Sequence, residues 1–145
     1  MIEFVSHEID FILPQQESVR SWLLFFLKEK QCPLDSITYI FLSDDSLLKI
    51  NQEHLQHDYY TDIITFPYHN PGEPVFSDIY ISLDRVKENA QLRGLDLYEE
   101  LHRVMVHGIL HLLGYDDHTE EDVLAMRSAE DRALSLWPSD VPRGT

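Results

Sequence analysis

Apolar residues recur along this chain with two periods, one suited to strands and one to helices. Ile2 to Val5 predicts a short strand. From Gln15 to Lys30, the residues Trp22, Leu23, Phe26 and Leu27 fall on one face at helical spacing, with Pro14 as a starter and Pro33 as a stop. Ser36 to Ser43 is β-branched and aromatic and predicts a second strand. Ser43 or Asp44 can then cap a helix over Ser46 to Leu55, because a short polar side chain there accepts from an unpaired amide of the first turn. Asp62 to Phe66 predicts a third strand, Asn70-Pro71-Gly72 a turn, and Val75 to Leu83 a fourth strand. The period changes at Asp84. Arg85 to Leu92 predicts a helix closed by Gly94, and Leu97 to Leu113 a longer one closed by Gly114. Thr119 opens a last helix, which runs to about Leu136 with acids in its first turn.

The sum is an α/β fold: one small mixed sheet of about four strands packed with four or five helices. Residues 1–137 read as a single domain and 138–145 as a tail without order. Strand order is not legible at this stage. The size, 145 residues, suits one domain with a sizeable core. The longest apolar run, Trp22 to Leu27, is far short of the roughly 18 residues a membrane span needs. The N-terminus has acids and no basic segment, so it does not read as a secretory signal. Cys32 stands alone and cannot form an internal disulfide. These features lead us to expect a cytoplasmic protein without a membrane partner.

Charge narrows the possibilities. The formal net charge is −15, and ten acids face only Arg103 and Arg127 between Asp96 and Asp131. Such a surface keeps a protein soluble, but it repels polyphosphate unless a metal or a basic partner intervenes.

The chemistry concentrates in the run from His107 to His118, H-G-I-L-H-L-L-G-Y-D-D-H. His107 and His111 are four apart on a predicted helix, about 40° apart around its axis and one turn along. Both imidazoles can point at one ion. Gly114 can turn the chain back, so that Asp117 or His118 supplies a third ligand from the loop. Two nitrogens and one further donor leave a fourth position open, the layout of a catalytic zinc. Asp116, or the unused member of the 117/118 pair, can orient the ligands or accept a proton. A carboxylate and an imidazole are both acceptable to zinc, so the third ligand stays open between Asp117 and His118.

These residues resemble the YbeY family of rRNA maturation factors, single-strand-specific endoribonucleases with one metal site. The family run H-G-x-L-H-L-x-G-Y-D-H is similar to His107 through Asp117 here. Asn51 with Thr61-Asp62-Ile63-Ile64-Thr65-Phe66-Pro67 resembles its N…T-D-V-L-S-F-P, and Ser77-Asp78-Ile79-Tyr80-Ile81-Ser82 its G-D-I-x-I-S. Glu99-Glu100-Leu101 stands where the family helix begins with acids. The likeness spans about residues 36 to 130. It implies an endoribonuclease of the 16S rRNA 3′ end, active in ribosome quality control. It also implies one zinc or another divalent ion at His107, His111 and Asp117 or His118, and a catalytic part for His107 and Asp116. The implied partners are rRNA and ribosomal proteins.

Two departures stand out. Asp117 occupies the place of the family's third histidine, with His118 next to it; register favours Asp117. Leu55 stands where the family usually has an arginine; Lys49, Arg85 and Arg103 are the candidates to replace its charge. Tyr59, Tyr60 and Phe66 are candidates to stack on unpaired bases, and His54 and His57 to face substrate. His7, His69 and His102 read as ordinary histidines.

Two other functions fit a metal helix. A zinc peptidase of the H-E-x-x-H type needs a glutamate after the first histidine, where Gly108 stands; a glycine there suggests close packing or close approach of substrate. A ribosome-bound adaptor with a structural metal needs a closed four-ligand site.

Overall fold

The computed structural model describes residues 1–144; Thr145, the end of the expected tail, lies outside the described residues. The elements run β1 (Ile2–Ser6), α1 (Gln16–Glu29), β2 (Leu34–Leu42), α2 (Asp44–His54), β3 (Ile63–Pro67), β4 (Val75–Ser82), α3 (Leu83–Arg93), α4 (Leu97–Leu112) and α5 (Glu120–Ser135). The four strands form one mixed sheet in the order β1-β2-β4-β3. β1 and β2 are parallel, as are β2 and β4, whereas β3 runs antiparallel to β4 at the edge, with Ile63 opposite Ile81 and Pro67 opposite Ser77.

Alternation along the strands sorts side chains between two faces. Ile37, Tyr39 and Phe41 of β2 and Ile79 and Ile81 of β4 point into a large core shared with α1, α3, α4 and α5. Ile40, Leu42, Ile64, Phe66 and Tyr80 point the other way, toward Leu47 and Ile50 of α2. Helices therefore cover both faces, four against one.

Local chemistry starts and stops the helices. Ser43 caps α2 by accepting from the Ser46 amide, and Thr119 and Asp122 form a reciprocal capping box at α5. Ser82 caps α3, which begins at Leu83, two residues before the helical pattern becomes clear. The sheet thus passes into the helix without a loop.

Helix α4 carries the histidines and is held to the sheet at two points. The buried Tyr39 hydroxyl donates to the Met105 carbonyl at 2.9 Å. Gly108 faces the sheet so closely that a Cβ there would lie 2.8 Å from Ile63 Cδ1 and 3.2 Å from Ile79 Cγ2. Close packing, not substrate access, explains that glycine.

Residues 138–144 form no helix or strand, yet they do not trail away from the domain as expected. Trp137 Nε1 donates to the Val141 carbonyl at 2.8 Å, and Arg143 donates to His102 Nδ1 and to the Leu134 carbonyl. A single arginine reaching a buried histidine ties the segment down, a long-range contact with no local pattern. No helix among the described residues is long and apolar enough to cross a membrane.

Candidate metal centre

The site sits at the C-terminal end of α4. Asp96 caps the other end by accepting from the Tyr98 amide. His107 and His111 lie on consecutive turns, with ring centroids 4.5 Å apart and nearly perpendicular planes. Their Nε2 atoms approach to 2.9 Å. Gly114 adopts φ +99°, a conformation that favours glycine, and turns the chain back. That turn places the Tyr115 carbonyl 3.1 Å from His111 Nδ1 and returns Asp117 Oδ2 to 3.9 Å from His107 Nε2 and 3.8 Å from His111 Nε2.

The partners of the two Nδ1 atoms fix where the protons are. A carbonyl only accepts, so His111 Nδ1 carries its hydrogen. His107 Nδ1 lies 2.7 Å from Glu130 Oε2, whose other oxygen accepts from Arg103 at 2.9 Å. Burial pushes the Glu130 carboxyl up, but the hydrogen bonds from His107 and Arg103 and their charges outweigh it, and its pKa falls below the usual value. An ionised Glu130 accepts, so His107 Nδ1 also carries hydrogen. Both Nε2 atoms therefore present lone pairs to each other at 2.9 Å, an arrangement that needs a cation between them: a proton or a metal. For the proton, burial of His107 opposes charging, but the Glu130 hydrogen bond and charge outweigh it and raise the pKa above the ordinary histidine value.

The donor set also suits a metal ion. One ligand atom from each of His107, His111 and Asp117 lies within 4.8 Å of the others. Around a tetrahedral zinc with bonds near 2.0–2.2 Å, ligand atoms sit about 3.4 Å apart. The separations of 2.9, 3.8 and 3.9 Å bracket that figure. A histidine whose other nitrogen donates to a carboxylate or carbonyl is the usual metal-binding arrangement, since that bond orients the ring and raises its basicity. The remaining side opens on a cavity of about 500 Å³ lined by Asn51, Leu55, His57, Tyr59, Asp62 and Thr65, among others.

Other expected residues lie elsewhere. His118 is exposed and faces Asp116 at 3.7 Å, so it does not join the cluster. Asp116 lines a separate depression with Gly114, Asp122 and Ala125, away from the cavity. Both consequences come from the turn: with Asp117 directed inward, its neighbours point out. Among the described residues no four-donor closed site is formed. Leu55 does face the cavity, but none of the proposed replacements for its charge lines it. Arg85 is held by Asp44 at 2.8 Å, and Arg103 by Glu130 and Asp131. Lys49 is exposed on α2.

Glu130 was not singled out from the sequence. It is 23 residues beyond His107, with no ligand spacing. The available signal is its position on the apolar stripe Met126, Ala129, Ala133 and Leu134 of α5, where an acid is out of place unless paired.

Nearly the whole chain has known relatives. The family described as Endoribonuclease YbeY matches residues 2–137. Endoribonuclease YbeY of Cytophaga hutchinsonii is 44% identical over 135 residues, covering 93% of this chain and 94% of the relative. That of Flavobacterium psychrophilum is 44% identical, covering 94% and 96%. That of Phocaeicola vulgatus is 50% identical over 100 residues, 69% of this chain and 72% of the relative. The fold is similar to the solution structure of TM1509 from Thermotoga maritima, with a TM-score of 0.67 and 24% identity over 94% of this chain and 88% of that one. The chain belongs to the YbeY family of endoribonucleases.

Proposed function

We propose that this protein is a metal-dependent, single-strand-specific endoribonuclease that uses one zinc ion held by His107, His111 and Asp117. We further propose that it works in the cytoplasm on the 3′ end of 16S rRNA and in ribosome quality control. The observation that carries the metal reading is the pair of facing lone pairs on His107 and His111, with a carboxylate beside them and a cavity in front. The RNA reading rests on family membership.

A bound ion supplies Lewis acidity, polarising a phosphoryl oxygen and making water easier to ionise. The chain's own residues do the rest. Glu130 and the Tyr115 carbonyl hold the two rings in the tautomer that presents Nε2. Asp62, on the cavity wall with His107, is the further carboxylate available to take a proton, the part expected of Asp116. The nucleophile is water or the neighbouring 2′-hydroxyl. Among the described residues no lysine or arginine lines the cavity, Arg93, Arg103 and Arg127 line only the smaller depression next to it, and the net charge is −15; this supports basic surfaces of ribosomal proteins bringing the RNA in.

Cleavage of a single-stranded RNA oligonucleotide, with and without chelator, tests this. Loss of cleavage on chelation and recovery with zinc is the expected result. Undiminished cleavage by metal-stripped protein contradicts it.

A further inference from the structure

The three aromatic residues that were candidates for base stacking have separate fates. Phe66 packs edge-to-face on Tyr80 and His54 beside the smaller core. Tyr60 hydrogen-bonds to Asp45 and has the Arg85 guanidinium over its ring at 5.4 Å, so that face is occupied. Tyr59 alone of the three lines the cavity in front of His107, His111 and Asp117. It does not act alone. The His57 ring lies against it, with centroids 5.1 Å apart and planes 21° apart, and Tyr59 Oη is 3.0 Å from His57 Nδ1. His57 lines the same cavity.

This pair is held in place by the buried Asn51. Its side-chain amide donates to the Tyr59 carbonyl at 2.9 Å, and its backbone carbonyl accepts from the His57 amide at 3.0 Å. Gln56, just before His57, supplies a left-handed turn at φ +57°. The loop after α2 is thus clasped at the backbone of both residues, yet Tyr59 stays 55% exposed. The clasp holds the exposed Tyr59 ring at the wall of the cavity.

The charge of the cavity says what it can hold. No lysine or arginine lines it, and Leu55 adds an apolar side chain where a cation would grip a phosphate. Arg93, Arg103 and Arg127 line a smaller depression on the other side of His107 and Asp62, so within this cavity the aromatic faces are the surface offered to a base. The volume of about 500 Å³ falls in the range of small-ligand pockets, about 300–1,000 Å³. A base in a duplex already has both faces stacked, so such a platform accepts only an unpaired one.

We infer that His57 and Tyr59 form a stacking subsite for one unpaired nucleobase beside the phosphate that is cut. The inference deepens the endoribonuclease reading and rests on it. It locates preference for single strands in this loop rather than at the metal.

The test uses zinc-loaded protein and single-stranded RNA oligonucleotides carrying 2-aminopurine, whose fluorescence falls when it stacks. Quenching is read by stopped flow before turnover, and KM for cleavage is measured alongside. Tyr59→Ala is expected to lose most of the quenching and to raise KM about tenfold or more, with metal content unchanged, in line with about 1–3 kcal/mol per stacked base. Tyr59→Phe, which keeps the ring, recovers most of that loss. His57→Ala gives a smaller effect of the same sign. If wild-type protein cuts RNA while Tyr59→Ala matches it in quenching and KM, the subsite is overturned and the nuclease reading stands. If wild-type protein quenches the probe and cuts nothing, the nuclease reading falls and the stacking surface stands. If it neither quenches nor cuts, both fall. An equal KM increase in Tyr59→Ala and Tyr59→Phe assigns the loss to the hydroxyl and also overturns stacking.

Discussion

His102 and His107 lie on the same helix, five residues apart, and meet opposite surroundings. His102 is fully buried between Trp22 and Trp137, with ring centroids at 5.2 and 4.6 Å. Arg143 donates to its Nδ1, and its Nε2 is buried with no partner. Burial, helped by the nearby Arg143 charge, pushes its pKa down to about 3. His107 is partly buried too, but its Nδ1 meets a carboxylate and its Nε2 meets the lone pair of a second imidazole. Burial alone keeps a histidine neutral and inert. Burial beside an ionised acid makes it basic and aims its free nitrogen outward at a cation. About 140° of rotation around α4 separates the two outcomes.

The sharpest way to break the contrast is to remove the second imidazole. His111→Ala takes away one proposed metal ligand and the partner that faces His107, so bound zinc and RNA cleavage are both expected to fall more than about a hundredfold. The corresponding change at the inert histidine, His102→Phe, leaves zinc content at the wild-type level. Metal analysis and a cleavage assay on both variants check this.

The next test removes the acid instead of the ring. Glu130→Gln keeps the shape but not the charge, and loss of such an orienting partner typically costs about 10–100-fold in metal affinity. A competition titration with a chromophoric chelator reads it. Unchanged affinity means that Glu130 serves only Arg103.

How far this contrast was legible beforehand differs by element. The two-strand and helix periods, the caps at Ser43 and Thr119, and the turn at Gly114 are local, and they placed all nine elements to within a few residues. His107 and His111 were legible because helix geometry fixes their spacing, and one glycine narrowed the third donor to Asp117 or His118. Glu130 was not, because it reaches His107 from another helix. The strand order and the docking of Arg143 on His102 depend on contacts between segments far apart in sequence, which no local period records. Asp116 and His118 were legible only as donors near a turn; which way each one points is set by the backbone after Gly114.

Acidity gives a third, smaller effect. His102 is neutral when folded down to about pH 3, whereas the unfolded chain protonates it near pH 6.5. Its contribution to stability is therefore complete above about pH 6.5 and is lost below it, at about 1.4 kcal/mol per pH unit. His107 has the opposite sign in metal-free protein: its raised pKa adds stability below about pH 6.5 that is lost as pH rises through the folded value. Chelator-treated His102→Phe should therefore show a flatter acid limb in its unfolding free energy than wild type, while His107→Gln should lose the neutral-pH decline. Identical pH profiles for all three proteins contradict the contrast.

The smallest effect tests how the helix is seated. Gly108→Ala gains about 1 kcal/mol in helix propensity and costs about 1–3 kcal/mol by crowding Ile63 and Ile79, for a net loss of about 1 kcal/mol. Thermal unfolding measures it. A more stable variant means that Ile63 Cδ1 moves aside freely.

Two imidazole nitrogens whose lone pairs converge need a cation between them. Calorimetric titration of zinc into metal-stripped protein near pH 6.5, repeated in buffers of different ionisation heat, tests this most directly. The expected result is one zinc per chain with release of about one proton, the proton that the ion displaces. Absence of binding, or binding that survives replacement of both His107 and His111, contradicts the account.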